Sequence, residues 1–393
     1  MLTSLAFIFL LGLLLGSIFN KLKLPSLLGM ILTGIILGPY ALDLLDSSIL
    51  GISADLRQLA LVIILTRAGL ALDLKDLKYV GRPAVLMCFI PACFEIIGII
   101  LLAPSLLGVS VLEAAIMGAV VAAVSPAVIV PRMLKLMEGG YGKRNRIPQL
   151  IMAGASVDDI FVIVLFTSFT GLANGEGISW TQFAQIPIAI ILGLVSGVLF
   201  GAVLTKLFGK IHMRDSVKVV LLLSISFLLI AIEHAIHEIV PFSGLLAVMA
   251  MGAAILKNNQ ILAKRLSGKF SKLWVGAEIL LFVLVGATVD VRYAVTAGGA
   301  AILVILGALL FRMLGVYVCL IKTKINLKER LFCMIAYLPK ATVQAAIGSI
   351  PLAMGLSCGQ IVLTVAVLAI LITAPLGALA VDFSCKKLLT CEK

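Results

Sequence analysis

The sequence predicts an all-α integral membrane protein with about thirteen transmembrane helices, arranged as inverted repeats with two broken helices. Three observations predict this class. Of the 393 residues, 62% are hydrophobic and 13% are charged, with a mean hydropathy of +1.21, whereas a soluble domain carries roughly 25% charged residues. Apolar runs of bilayer-spanning length, about 20 residues, follow one another along the chain. Two of these runs are interrupted by motifs that contain proline.

Each predicted helix is an apolar run bounded by charged residues, proline or glycine. The first run has no basic residues before it and is followed by Lys21 and Lys23, which is the charge order of a retained anchor rather than a cleaved signal. The longest polar connections lie near 138–146 and 257–272, and a short cytoplasmic tail, 383–393, follows the last run, so no soluble partner domain is predicted. The runs fall near 2–20, 25–39, 56–72, 83–104, 111–135, 147–171, 184–206, 217–236, 240–256, 273–289, 295–321, 329–351 and 358–382.

The distribution of charge predicts the topology. The net charge is +12, but the basic residues form short clusters between apolar runs, which argues against a protein that binds nucleic acid. With the N-terminus outside, most of the 31 lysines and arginines fall in cytoplasmic connections, and the opposite connections are mainly acidic. This is the pattern of the positive-inside rule. We therefore expect a multi-pass protein of the plasma membrane, with a cytoplasmic C-terminus and the lipid bilayer as its partner.

Two runs contain proline in a pattern typical of broken helices. SPAVIVP (residues 125–131) interrupts the fifth run and LPKATVQAAIGSIP (residues 338–351) the twelfth, so we place the breaks near 124–131 and 338–344. A proline removes a backbone donor and clashes with the preceding turn. Because the fifth and twelfth helices run in opposite directions, the pattern predicts an inverted repeat with its binding site at the breaks. The alternative is a pair of ordinary proline kinks.

Two adjacent acidic residues lie in the middle of the sixth run. Asp158 and Asp159 stand in MAGASVDDIFVIVLF, with no basic neighbour in sequence. A charge at mid-bilayer costs at least about 2.5–3.5 kcal/mol, so such residues face a protein interior or water and often mark an ion path. Ser156 shares a helix face with Asp159, and carbonyls freed near Val124 and Ser125 could add the further oxygen ligands that a small hard cation prefers. A helix N-cap is the common use of such a pair in soluble proteins, but the apolar flanks argue against it.

A buried carboxylate that binds either a proton or Na⁺, but not both, couples the two flows by competition. The sequence therefore predicts exchange of Na⁺ or Li⁺ for H⁺, with a K⁺/H⁺ antiporter or a Na⁺-coupled solute carrier of the same architecture as alternatives. A carrier of anions would favour helix N-termini and free cations over a pair of carboxylates. An intramembrane aspartyl protease would need carboxylates on separate helices, because neighbours on one helix do not face each other. We expect neither enzyme activity nor a cofactor.

Further polar side chains are predicted to surround this site. Lys340 lies in the second break, where it is expected to neutralise the ends of half-helices and to pair with Asp158. Thr342 and Gln344 add polar groups beside it.

Two more ionisable residues, Glu95 and Arg312, stand near mid-span without a partner close in sequence. We expect them to pair with one another between helices. A purely structural ion pair and a role in transport both agree with the sequence.

Five motifs together resemble the monovalent cation/proton antiporters, in particular the sodium/hydrogen exchanger B (NHA-type) branch. The resemblance spans most of the chain, and the last two motifs are specific. The motifs are RAGLALDLKDLK (67–78), GAVVAAVSPAVIVPRML (118–134), GGYG (139–142), AGASVDDI (153–160) and YLPKATVQAAIGS (337–349).

The resemblance implies an NhaA-type fold that works by an elevator-like mechanism. In that fold a six-helix core, here 83–171 and 295–382, contains two crossed broken helices, and a separate scaffold domain, here 1–80 and 184–290, forms a homodimer. The resemblance assigns Asp159 as the carrier of cation and proton, Asp158 as its partner and Lys340 to the crossing, with a Glu95–Arg312 pair in the core. The short tail differs from family members with large cytosolic domains, so regulation through a tail is not implied.

Overall fold

The computed structural model describes most of the chain. It covers residues 1–22, 24–71, 81–173, 180–236, 240 and 242–391, apart from the side chains of residues 127, 131, 138, 156, 160, 180–187, 190, 234, 291 and 293–297. Residues 72–80, which hold most of the RAGLALDLKDLK motif, lie outside the described residues, as does the side chain of Ser156.

The regular structure of the described residues is helical, apart from one isolated antiparallel bridge between Tyr141 and Cys391. In chain order the helices are α1 (Leu2–Lys21), α2 (Ser26–Leu37), α3 (Ser47–Gly51), α4 (Ser53–Ala71), α5 (Arg82–Met87), α6 (Ile90–Leu107), α7 (Val111–Val121), α8 (Pro126–Glu138), α9 (Ile147–Ala173), α10 (Trp180–Lys210), α11 (Asp215–Ile236), α12 (Gly244–Asn258), α13 (Gln260–Ala287), α14 (Val291–Cys319), α15 (Leu327–Ala336), α16 (Thr342–Ile347), α17 (Ile350–Ala353) and α18 (Gly359–Leu388).

Within the described ranges, eight helical segments are long and apolar enough to cross a membrane, and shorter apolar helices accompany them. The prediction of an all-helical membrane protein is therefore confirmed. The count of thirteen spans stays a prediction. The run 83–104 forms two consecutive helices, α5 and α6, with Phe89 outside helical geometry, but together they still make one segment of spanning length. Pro91 lies in the first turn of α6, where a backbone N–H would have no helical partner.

Two predicted polar segments are helical instead. Residues 260–272, expected in a connection, form the first half of α13, because Leu262, Leu266 and Phe270 repeat every four residues and are buried along one face. Residues 383–388, expected in the tail, continue α18. Beyond them Leu389 is buried, so the end of the described chain packs into the protein core.

The two broken helices are interrupted at positions slightly different from those predicted. The first break comprises residues 122–125, between α7 and α8, rather than 124–131. Helix α8 begins at Pro126 because proline is accepted in a first turn, where its N–H would have no partner. The second break comprises residues 337–341, between α15 and α16, rather than 338–344. The helix resumes at Thr342 because the Gln344 side chain accepts a hydrogen bond from Ala341 N at 2.9 Å.

The chain forms two compact units. Unit 1 contains Met1–Ala54, Lys75–Ala173 and Ile279–Lys393, and both breaks lie in it. Unit 2 contains Asp55–Leu74 and Asn174–Glu278. Inside unit 2, the small residues that recur every four positions on α10, at Gly193, Gly197 and Gly201, lie against the backbone of α12. This spacing permits close contact between helices.

Candidate cation site

The two breaks lie directly against each other in unit 1. Ser125 N, in the first break, donates a hydrogen bond to Pro339 O, in the second, at 2.8 Å. The Gln344 side-chain amide donates to Val121 O and to Ala123 O, each at 2.9 Å. Backbone groups that an interrupted helix would leave unpaired are thus paired across the junction, as buried polar groups require.

Helix α18 contributes a further polar contact to the second break. Lys340 N donates to the hydroxyl of Thr373 at 2.9 Å, and both residues are buried. Because Gln344 also binds Ala341 N, successive backbone amides of this break are each held by a side chain. The break therefore has a defined backbone conformation.

Asp158 projects from α9 onto the first break and is fully buried. Its Oδ2 accepts hydrogen bonds from Val124 N at 2.9 Å and from Arg312 Nη2 at 2.7 Å. The Val124 N–H thus fixes Asp158, and the expected role of the Val124 carbonyl as a cation ligand stays a prediction. The carbonyl of Ser125 accepts hydrogen bonds from Val128 N and Ile129 N in the first turn of α8. This oxygen is therefore already used at the start of that helix.

Arg312, on α14, is the hub of the buried polar cluster. Its guanidinium bonds to Glu95 Oε2 at 2.7 Å, to Asp158 Oδ2 at 2.7 Å and to Tyr337 O at 2.6 Å, and it also donates to Ala122 O. The ring of Tyr337 lies 5.4 Å from the guanidinium carbon, within range of a cation–π contact. One side chain thus joins α6, α9 and both breaks.

Lys340 binds Glu95 rather than Asp158, which corrects the partner expected from the sequence. Its Nζ lies 2.6 Å from Glu95 Oε2 and 3.4 Å from Ala122 O. Arg312 already occupies Asp158 Oδ2. Glu95 therefore receives both cations, and the pair inferred for Glu95 and Arg312 is part of a larger network.

Four buried side-chain oxygens in and around the junction have no hydrogen-bond partner within the described part of the chain. They are Glu95 Oε1, Asp158 Oδ1, Asp159 Oδ1 and Ser125 Oγ. Asp159 lies within electrostatic reach of Asp158, Arg312 and Lys340. Buried polar atoms are almost always paired, so each unpaired one needs an explanation such as an ion. Carboxylate and hydroxyl oxygens are the ligands that hard cations prefer.

The structure brings most of the predicted site residues together. Thr342 is buried in the first turn of α16, next to the second break, and the side chain of Ser156 lies outside the described residues. Sequence reasoning did not single out Tyr337, Thr373 or the carbonyl of Ala122. Tyr337 directly precedes the Leu-Pro-Lys sequence of the second break, and this position could have marked it as a site residue. A backbone carbonyl and a single threonine in an apolar run have no feature in the sequence that would mark them.

Comparisons with known proteins agree with this architecture. Residues 5–387 match the family model described as "Sodium/hydrogen exchanger, transmembrane". Sodium/hydrogen exchanger 9B2 of Mus musculus is 34% identical over 386 residues, which cover 93% of this chain and 70% of that protein. The Homo sapiens protein of the same name is 36% identical over 382 residues, with the same shares of 93% and 70%.

A solved structure has a similar fold. The sodium proton antiporter MjNhaP1 from Methanocaldococcus jannaschii, at pH 8, aligns with a TM-score of 0.87 and 22% sequence identity, covering 98% of each chain. This likeness describes the course of the helices and does not by itself assign an activity.

Proposed function

The chain belongs to the sodium/hydrogen exchanger family, and from this premise we propose that it exchanges Na⁺ or Li⁺ for H⁺ across a membrane. The observation that carries the proposal is the group of unpaired oxygens of Asp158, Asp159 and Ser125 at the junction of the two breaks. Membership in this family of transporters supports transport rather than an enzymatic reaction.

Asp159 is the proposed carrier. Asp158 has one oxygen bound by Arg312 and by Val124 N, so its orientation is fixed. No hydrogen bond to Oδ1 of Asp159 is found among the described residues, which leaves this oxygen free for cargo. A carboxylate can accept a proton or coordinate Na⁺, and the two compete for the same oxygen. Exchange follows because the site must release one before it takes the other.

Arg312, Lys340 and Glu95 set the charge around the carrier. Arg312 and Lys340 are bound directly to the carboxylates of Glu95 and Asp158, and Asp159 lies within electrostatic reach of both cations. A charge buried in a membrane protein is tolerated where it is paired. In our proposal this network holds Asp158 and both breaks in place, while Asp159 alone changes its ligand during the cycle.

The proposal extends to the conformational cycle, assembly and cellular location. The site residues described above all belong to unit 1. We propose that residues 83–171 and 295–382 form an inverted-repeat transport domain that moves like an elevator. Residues 1–80 and 184–290 would form the scaffold of a homodimer in the plasma membrane, with the N-terminus outside, which the charge distribution supports.

Transport by the purified full-length protein tests this function. Proteoliposomes with an acidic interior and a trapped pH dye should report proton efflux when Na⁺ or Li⁺ is added outside. We expect Asp159→Asn to abolish the signal, because an amide neither binds nor releases a proton in this pH range. The half-saturating Na⁺ concentration of the unaltered protein should rise as the outside pH falls, since protons compete for the same carboxylate.

Asp382→Asn is the matched control. Asp382 is half-exposed on α18 and pairs with Arg132, outside the site, so the same chemical change there should leave exchange intact. Exchange that persists in Asp159→Asn would refute the assigned carrier. A response to K⁺ but not to Na⁺ or Li⁺ would favour the K⁺/H⁺ alternative, and a half-saturating Na⁺ concentration that is independent of pH would refute competition.

A further inference from the structure

The start of the first broken helix is bound to the end of the second. Glu113, in the first turn of α7, accepts a hydrogen bond from Ser110 N at 2.7 Å, and Glu113 N donates to Ser110 Oγ at 3.3 Å. This reciprocal arrangement is a capping box. The other carboxylate oxygen of Glu113 accepts a bond of 2.6 Å from Ser357 Oγ. Ser357 lies in the connection that follows α17, the last segment of the second broken helix.

The start of the second broken helix is bound to the end of the first in the same way. Glu329, in the first turn of α15, forms a capping box with Asn326. The same carboxylate accepts a bond of 2.7 Å from Asn145 Nδ2. Asn145 lies in the connection that follows α8, the last segment of the first broken helix. Glu329 is buried, whereas Ser357 and part of Glu113 are exposed.

The two contacts are equivalent under exchange of the two broken helices. In each, a capping glutamate at the start of one broken helix also binds the connection that follows the other. Hydrogen bonds to an ionised carboxylate are short and about twice as strong as neutral ones. The two broken helices are thus joined at three places: by the Ser357–Glu113 bond at one end, by the Asn145–Glu329 bond at the other, and by the bond from Ser125 N to Pro339 O between the breaks.

We propose that Glu113 and Glu329 are positioning residues for the cation site, acting through their bonds to Ser357 and Asn145. Each bond holds one end of the helix pair, so the two breaks keep the register in which Asp158 and Ser125 present their free oxygens. Capping alone would stabilise α7 and α15 separately and would not fix that register. This inference rests on the proposed exchange function for its transport readout, but its structural readout does not depend on transport.

The test compares variants that remove the bond between the helices with one that removes only a cap contact. Ser357→Ala and Asn145→Ala each delete one bond between the broken helices and keep both capping boxes. Ser110→Ala deletes the Ser110 Oγ contact and keeps the bond from Ser357 to Glu113. Hydrogen–deuterium exchange of peptides that span residues 121–126 and 336–342 measures how well the backbone amides of the two breaks are protected, and so how firmly the breaks are held. Proteoliposome transport measures the half-saturating Na⁺ concentration.

We expect Ser357→Ala and Asn145→Ala to accelerate amide exchange at the breaks and to raise half-saturating Na⁺, each on the order of three- to tenfold, the effect of one lost hydrogen bond. Ser110→Ala should change neither. Asn145→Asp should be worse than Asn145→Ala, because it opposes Glu329 with a second carboxylate. Adding Glu329→Gln to Asn145→Asp restores an amide–carboxylate pair with the roles exchanged, and half-saturating Na⁺ should return towards its original value.

The remaining outcomes separate this inference from the proposed function. If the unaltered protein fails to exchange Na⁺ for H⁺, the proposed function is wrong, and amide exchange still decides the positioning role. Amide exchange and half-saturating Na⁺ that are unchanged in both Ser357→Ala and Asn145→Ala would overturn the inference. So would an equal effect of Ser110→Ala, since capping would then explain the result. If Asn145→Ala does not fold, two other variants test the inference: Ser357→Ala, which alters an exposed residue, and the double variant Asn145→Asp with Glu329→Gln.

Discussion

Replacing Glu95 and Arg312 together should cost much less stability than the sum of the two single replacements. Arg312 binds both Glu95 and Asp158, and Lys340 binds Glu95. The four paired charges balance within a fully buried cluster. Any single removal leaves one charge without compensation, whereas removal of one acid and one base leaves Lys340 and Asp158, which balance again.

The magnitude follows from this charge count. Removing one member of a buried ion pair costs about 3–5 kcal/mol, mostly through the uncompensated partner. Arg312→Met leaves Asp158 with only the hydrogen bond from Val124 N, so we expect a cost in that range, and likewise for Glu95→Leu. Independent effects would sum to about 6–10 kcal/mol, but the double variant should cost about as much as one single replacement. The coupling energy is therefore expected to be about 3–5 kcal/mol.

Unfolding by sodium dodecyl sulfate in mixed micelles, followed by circular dichroism of the helices, measures the free energy of unfolding. The unaltered protein, the two single variants and the double variant together form a double-mutant cycle. The control cycle replaces Arg132 by Met and Asp382 by Leu. That pair is separated by 3.3 Å, and Asp382 is about half-exposed, so its coupling should stay within about 0.2–1 kcal/mol. Additive costs for Glu95 and Arg312 would refute the reasoning, because they would show that the cluster does not act as one balanced set of charges.

Two further predictions concern the packing of the breaks. Gln344→Leu should destabilise the protein by about 1–3 kcal/mol for each of the carbonyls of Val121 and Ala123 that it leaves unpaired. Thermal unfolding of the purified protein measures this, and a melting temperature equal to that of the unaltered protein would contradict the bonding described here. Gly154→Ala should destabilise as well, because a β carbon there would overlap Tyr337 Oη, and adding Tyr337→Phe should recover part of the lost stability. The same thermal measurement would contradict this contact if Gly154→Ala alone were neutral, or if the double variant were no more stable than the single one.

Several features of the fold and the site could be predicted from the sequence, because a lipid environment makes them costly to place anywhere else. Long apolar runs indicate membrane spans, and ionisable residues inside such runs must be buried in protein. On this ground the sequence predicts five buried ionisable residues: Glu95, Asp158, Asp159, Arg312 and Lys340. The structure places all of them except Asp159 in one fully buried cluster, whereas Asp159 is partly exposed. The all-helical fold could be predicted for a related reason, since a backbone in lipid must satisfy its hydrogen bonds within the protein.

Other features depend on contacts between residues that are far apart in the chain. Glu95 and Arg312 are separated by 217 positions. The hydrophobic periodicity of the sequence does not show that Arg312 binds Asp158 and that Lys340 binds Glu95. The first break ends before Pro126 because proline suits the first turn of α8, and the second ends at Ala341 because Gln344 caps α16. Residues 260–272 are helical because Phe270 and its neighbours find a core to pack against.

The sequence by itself determined that this chain is a helical membrane protein with buried charges and two interrupted helices, because the cost of polarity in lipid acts on each residue separately. Only the tertiary structure decided which acid each base binds, which backbone groups are consumed within the junction and which oxygens remain free. Hydrogen bonds and ion pairs depend on distances of a few ångströms between helices, and those distances exist only after the helices have packed.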